Sequence, residues 1–137
     1  MIVVDAGPLV ALFDPRERRH LSSRVTFEGL TDDLVTTVSV LTEASHLLGP
    51  ASIGFRRLAR LVSAGGLSID YLSASTLSRS FELMEQYADH EMDLADASIV
   101  AVAESLGTSR VWTFDQNDFA TYRARRGHRL ERFEIVS

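Results

Sequence analysis

Short apolar runs alternate with stretches of helical periodicity along the whole chain. Met1-Ile2-Val3-Val4-Asp5 has the composition of a strand buried on both faces. Ala6-Gly7 breaks that run, and Pro8 is placed to open a short helix through Leu9, Val10 and Leu12, which Asp14-Pro15 ends. Arg16 to Arg19 read as a charged surface turn, and Leu21 to Leu30 as a helix. After a turn at Asp32-Asp33, Leu34-Val35-Thr36-Thr37 reads as a second strand. Ser39 can cap a helix that runs to Leu48 and stops at Gly49-Pro50. Ile53 to Val62 form a further helix, ended by Gly65-Gly66, and Leu67 to Tyr71 a third strand. Ala74 to Tyr87 and Leu94 to Leu106 are helical, the second stopping at Gly107. Val111-Trp112-Thr113-Phe114 is a fourth strand, followed by a short helical turn and an Arg-rich loop, and Phe133 to Val136 are expected to form a last strand.

Apolar strands separated by helices are the pattern of a doubly wound, mostly parallel sheet, here an α/β protein of three α/β/α layers with four to five strands. No repeat, low-complexity tract or linker interrupts residues 1–137, which read as a single domain.

Composition narrows the chemistry. The 137 residues are 45% hydrophobic and 24% charged, so a core can form without covalent staples. Cysteine is absent, which excludes disulfides, thiolate metal sites and thiol nucleophiles. All 14 basic residues are arginine. Without lysine there is no P-loop phosphate cradle, no Schiff base and no Ser–Lys dyad. No apolar run is long enough to span a membrane and no signal peptide is visible, so a soluble cytoplasmic protein is expected. With 19 acidic residues and a net charge of -5, generic nucleic-acid binding is disfavoured unless several acids surround bound metal.

The carboxylates allow that exception. Asp5 ends the first strand and Asp115 follows the fourth, and in parallel sheets sites form outside the carboxyl ends of strands. Both also suit plain structural roles, Asp5 as a cap or turn residue and Asp115 as the cap of a short helix. On the helix that follows Asp93, with Ile99 set at zero, Met92 falls at about 20° and Asp96 at about 60°, inside the apolar arc. An ionised carboxylate there costs several kcal/mol unless compensated, either by the helix dipole behind an Asp93 cap or by a divalent cation. Glu43 borders a stripe of Val40, Leu41, Ala44, Leu47 and Leu48, where a surface acid is equally natural. Four like charges meeting at one sheet edge repel unless cations intervene, and hard Mg²⁺ or Mn²⁺ suits oxygen donors whereas zinc does not. His20, His46, His90 and His128 lack ligand spacing and read as surface or capping residues. Asp115-Gln116-Asn117-Asp118 lacks the turn glycine and distal glutamate of a calcium loop.

Val3-Val4-Asp5, Thr42-Glu43-Ala44, Leu94-Ala95-Asp96-Ala97 and Thr113-Phe114-Asp115-Gln116-Asn117-Asp118-Phe119, in this order, resemble the PIN-domain family and particularly its VapC-type toxins. The resemblance implies a parallel five-stranded sheet and a Mg²⁺- or Mn²⁺-dependent ribonuclease with acidic residues Asp5, Glu43, Asp96 and Asp115. Asp93 and Asp118 become supporting acids that bind waters or ligands around that set, and Ser39 and Thr113 are expected to line it. Asp5 and Asp96 are then the principal metal ligands, Asp115 completes the set, and Glu43 ligates or orients the attacking water. The resemblance also implies an RNA substrate, a homodimer, and an antitoxin partner that covers the site within a type II toxin–antitoxin pair. Asp5 is followed by Ala6-Gly7 where many relatives carry Thr or Ser, which removes a possible hydroxyl contact. Arg16, Arg18, Arg19, Arg123, Arg125, Arg126 and Arg129 are candidate phosphate contacts, although most of them read better as ordinary solvated loop residues. The competing reading is a catalytically silent PIN-like module that binds protein or RNA. A phosphatase of the haloacid dehalogenase type needs a second aspartate where Gly7 stands and normally a lysine, and is set aside.

Overall fold

The computed structural model describes residues 1–137 and follows the predicted alternation of strands and helices closely. The Ile2–Val4 run forms β1, every residue of it buried. It leads through α1 (Ala6–Phe13) and α2 (His20–Gly29) to β2 (Leu34–Thr37). α3 (Val38–Leu48) and α4 (Ile53–Ser63) then lead to β3 (Ser68–Asp70). α5 (Ala74–Gln86) and α6 (Leu94–Leu106) follow, joined through a 3₁₀ turn at Ala88–His90, and then β4 (Arg110–Trp112) and α7 (Gln116–Thr121). The chain closes with β5 (Arg123–Arg126), β6 (Arg129–Arg132) and β7 (Glu134–Val136).

Five strands pair in the order β3-β2-β1-β4-β7, every neighbour parallel. The chain steps outward from β1 to β2 to β3, then returns past β1 to add β4 and β7 on the other side. With right-handed crossovers, that reversal sends the helices of the outward and return legs to opposite faces of the sheet. The packing agrees. α1 packs on α2, α3 and α4, while α6 packs on α5 and lies against β1 and β2. The central α/β/α architecture expected from the sequence is therefore present, with a fully parallel five-stranded sheet.

One continuous cluster of 29 buried apolar residues fills the space between the layers, which explains how the fold does without covalent staples. At its β4 end the rings of Tyr87, Tyr122, Phe119 and Phe133 meet edge to face, with centroids 5.0 to 5.7 Å apart. No helix is long and apolar enough to cross a membrane.

Three local expectations are corrected. Thr37, not Ser39, caps α3: β2 runs into the helix without a linker, so the last strand residue supplies the capping hydroxyl to the Val40 N–H at 3.3 Å. Leu47, placed in the buried stripe of α3, is 55% exposed. The Arg-rich segment expected as a loop is an antiparallel hairpin of β5 and β6, turning at Gly127 with φ +59°. Its strand pattern is concealed because Ala124 alone is buried among arginines.

Candidate active site

The reversal of strand order falls between β1 and β4, where parallel α/β sheets open a crevice at the carboxyl ends of their strands. Asp5 leaves β1 at that point and caps α1, its Oδ1 accepting from the Ala6 N–H at 2.8 Å. Its Oδ2 accepts from the Thr113 hydroxyl at 2.7 Å, and Thr113 Oγ1 in turn accepts from the Asp115 N–H at 3.0 Å. Thr113 is fully buried, so it ties the two strand ends together beneath the crevice. Asp115 caps α7, with Oδ1 accepting from the Asp118 N–H at 3.4 Å. The capping roles anticipated for Asp5 and Asp115 are real, and they fix where both carboxylates sit.

α6 brings the next pair. Asp93 caps it and accepts from the Asp96 N–H at 2.9 Å, which points Asp96 into the first turn of a helix with eight buried residues. The buried Tyr122 hydroxyl donates to Asp96 Oδ2 at 3.4 Å. A second hydroxyl relay locks α3 to α6. Val40 N–H donates to Thr37 Oγ1, Thr37 donates to Ser98 Oγ at 2.8 Å, and Ser98 donates to the Ala95 carbonyl at 2.7 Å. This buried chain sets exposed Glu43 of α3 opposite the start of α6. Sequence reading missed Thr37, Ser98 and Tyr122 as positioning residues. The available signal was a hydroxyl in an otherwise apolar stretch, which must find a partner when buried.

Ser39, Thr42, Glu43, His46, Asp93 and Leu94 line a cleft of about 540 Å³ between α3 and α6. Ser39 thus lines this cleft, though it does not cap the helix. His46, set aside in the sequence as a surface residue, stands in the same cleft. His20 is structural, its Nδ1 lying 2.7 Å from the Ala11 carbonyl.

The electrostatics follow from this crowding. Burial, and then the charges of Asp93, Asp5, Asp115 and Asp118, push the Asp96 carboxyl up to about 7. Asp5 is also raised by burial, against the lowering effect of its Thr113 and Ala6 hydrogen bonds. Burial raises Glu43, with Asp5 and Asp93 adding to it, and burial and Asp115 raise Asp118. Tyr122 is held up, first by burial and then by the charge of Asp96. None of the six acids has an arginine, histidine or amino-terminal ion pair, although eight such bridges form elsewhere.

As the side chains stand, no three carboxylates or histidines converge closely enough to grip one ion. The donor set nevertheless fits a hard divalent cation, since it is all oxygen and free of salt bridges within the chain. Exposed Glu43, which caps no helix and forms no salt bridge, has the freedom to move toward Asp5 and Asp96.

Three of the seven candidate phosphate-binding arginines are engaged internally. Arg16 pairs with Asp14 at 3.1 Å, Arg123 donates to the Ala120, Thr121 and Tyr122 carbonyls, and Arg126 pairs with Glu131 and donates to the Thr108 carbonyl. Arg18 and Arg19 have no ion pair, and the Arg19 guanidinium lies 4.5 Å over the Phe114 ring centroid.

That ring explains Gly7. A Cβ at Gly7 would stand 2.9 Å from Phe114 Cδ2, so the absence of a side chain in the first turn of α1 lets Phe114 pack there. Gly7→Ala, which in an open helix gains about 0.5–1 kcal/mol, is expected here to lose about 1 kcal/mol through overpacking. Urea denaturation of the two proteins checks the sign.

Comparison with known proteins agrees with this fold. A family model for the PIN domain matches residues 2–124. Ribonuclease VapC26 of Mycobacterium tuberculosis is 25% identical over 131 residues, covering 94% of this chain and 97% of that protein. Among solved structures, M. tuberculosis VapC20, a Sarcin-Ricin loop cleaving toxin, superposes with a TM-score of 0.76 at 21% identity, over 85% of this chain and 92% of that one. A toxin–antitoxin complex from Klebsiella pneumoniae gives 0.68 at 22% identity, over 88% and 91%. At these identities the structural likenesses speak for the fold.

Proposed function

This chain belongs to the PIN domain family, and from that premise we propose that it is a divalent-metal-dependent endoribonuclease, the toxin of a type II toxin–antitoxin pair. The observation that carries this reading is six acids gathered at the sheet's switch point, none of which forms a salt bridge within the chain. Similarity to a protein named as a ribonuclease supports the activity, and similarity to toxin–antitoxin complexes supports an antitoxin partner.

Asp5 and Asp96 would hold Mg²⁺ (or Mn²⁺), with Asp115 completing the set and Asp93 and Asp118 binding waters around it. When bound, such an ion lowers the pKa of water and offsets the charge that develops on a phosphodiester during in-line attack. The Ala6 N–H and the Thr113 hydroxyl each hold one oxygen of the Asp5 carboxylate, which fixes its orientation and leaves a lone pair on each oxygen for the ion. Asp96 is held by its place in the first turn of α6 and by the Tyr122 hydroxyl. Glu43 sits at the mouth of the cleft with its carboxyl raised, suited to orient the attacking water and accept its proton. No side-chain nucleophile is needed, in keeping with a chain that has neither cysteine nor lysine.

The partners that belong to this reading are RNA, an antitoxin protein and a second copy of the chain, in the cytoplasm. Incubating total RNA with the purified protein in Mg²⁺ or in EDTA tests it. Cleavage that appears with Mg²⁺ and vanishes with EDTA supports the enzyme. Intact RNA under both conditions, with the protein folded, favours the silent binding module.

A further inference from the structure

We propose that the pocket between the start of α1 and the Arg16–Arg19 turn is a subsite for one nucleotide of a single-stranded RNA. It rests on the ribonuclease reading and deepens it. The pocket has a volume of about 320 Å³, and Gly7, Arg18, Arg19, Leu47 and Phe114 line it, with Glu17 as its one acid. That volume is at the lower end for small-molecule sites, the scale of a single nucleotide rather than a polymer.

Its place adjoins the acid edge through three elements. Gly7 is two residues from Asp5, Phe114 precedes Asp115, and Leu47 is one helical turn beyond Glu43. Two of its features suit RNA. The Arg19 guanidinium layered 4.5 Å over the Phe114 ring makes a flat platform, and both groups stack on bases. Arg18 and Arg19 are exposed and have no ion pair, in a protein whose net charge is -5, so their charge remains available to a phosphate. Leu47, 55% exposed despite its aliphatic side chain, supplies apolar surface at the rim. A nucleotide held here would present its neighbouring phosphodiester to the carboxylates.

Binding of a fluorescein-labelled single-stranded RNA of about 12 nucleotides tests the subsite, by anisotropy over a range of salt concentrations. The Asp96→Asn protein is the background, so that the RNA is not cut, and wild-type cleavage is assayed alongside. Phe114→Ala is expected to weaken binding about tenfold and Phe114→Tyr to restore it. Arg18→Gln with Arg19→Gln is expected to weaken binding about tenfold and to make the log–log salt dependence shallower by about 1.4. Loss of affinity with this pattern supports the subsite even if the wild type fails to cleave, in which case only the nuclease reading falls. Unchanged affinity and salt slope in folded variants overturn the subsite while leaving cleavage untouched, and give the pocket to a protein ligand. No binding of RNA by the Asp96→Asn protein overturns it as well.

Discussion

Replacing Asp96 by Asn is expected to lower RNA cleavage about a thousandfold while leaving the fold intact. At pH 8 in EDTA the variant should also be the more stable protein, by about 1–2 kcal/mol. The two effects share one cause. Asp96 is half-buried in the first turn of α6 and feels four other carboxylates, so its ionised form is disfavoured in the folded chain. A rise from 3.8 to about 7 corresponds to roughly 4 kcal/mol of gross penalty, which partial exposure to solvent reduces by about half. Asparagine removes that charge, and its carbonyl oxygen can still accept from Tyr122. A variant that loses activity because it unfolds would instead make Asp96 a structural cap-region residue. Single-turnover cleavage together with urea denaturation separates these outcomes.

The metal-free wild type should lose stability as pH rises from about 4 to about 8. Asp96 has a folded-state pKa above its unfolded value, so the stability it contributes is complete below pH 4 and disappears as pH rises through about 7. Asp5, Glu43 and Asp118 are raised as well and act in the same direction. Asp14 and Asp32, held low by Arg16 and Arg110, oppose this only on the acid side, where their contribution is lost as pH falls. The net expectation is a maximum near pH 4–5 in EDTA. Saturating Mn²⁺ should reverse the trend at pH 8, raising the melting temperature because the ion binds the folded protein alone. Asp96→Asn should flatten the pH profile and blunt the response to Mn²⁺. A wild type whose melting temperature is indifferent to Mn²⁺ at pH 8 would count against a cation site. Differential scanning fluorimetry across pH and metal concentration measures all of these.

Much of this is legible in the sequence, and the reason is local. Runs such as Ile2-Val3-Val4 and Leu34-Val35-Thr36-Thr37 announce buried parallel strands because both of their faces are apolar. Asp5 and Asp115 were visible as candidates because a residue at the carboxyl end of a strand is aimed at the crevice by topology alone. Asp96 stood out as a charge within an apolar arc. The less legible features depend on contacts between residues far apart in the chain. Thr113 with Asp5 and Thr37 with Ser98 are separated by 108 and 61 positions, and nothing in either neighbourhood names its partner. The β5–β6 hairpin was concealed because arginine carries little strand preference and only Ala124 turns inward. Gly7 looked like a mere departure from a family pattern, and its reason appears only when Phe114 is seen against it.

The proposed chemistry requires divalent ions among carboxylates that form no salt bridge within the chain. Manganese soaked into crystals of the wild-type protein should give anomalous density between Asp5, Asp96 and Asp115, with Glu43 drawn inward. Anomalous maps without a peak there, at a manganese concentration that supports RNA cleavage in solution, would contradict it.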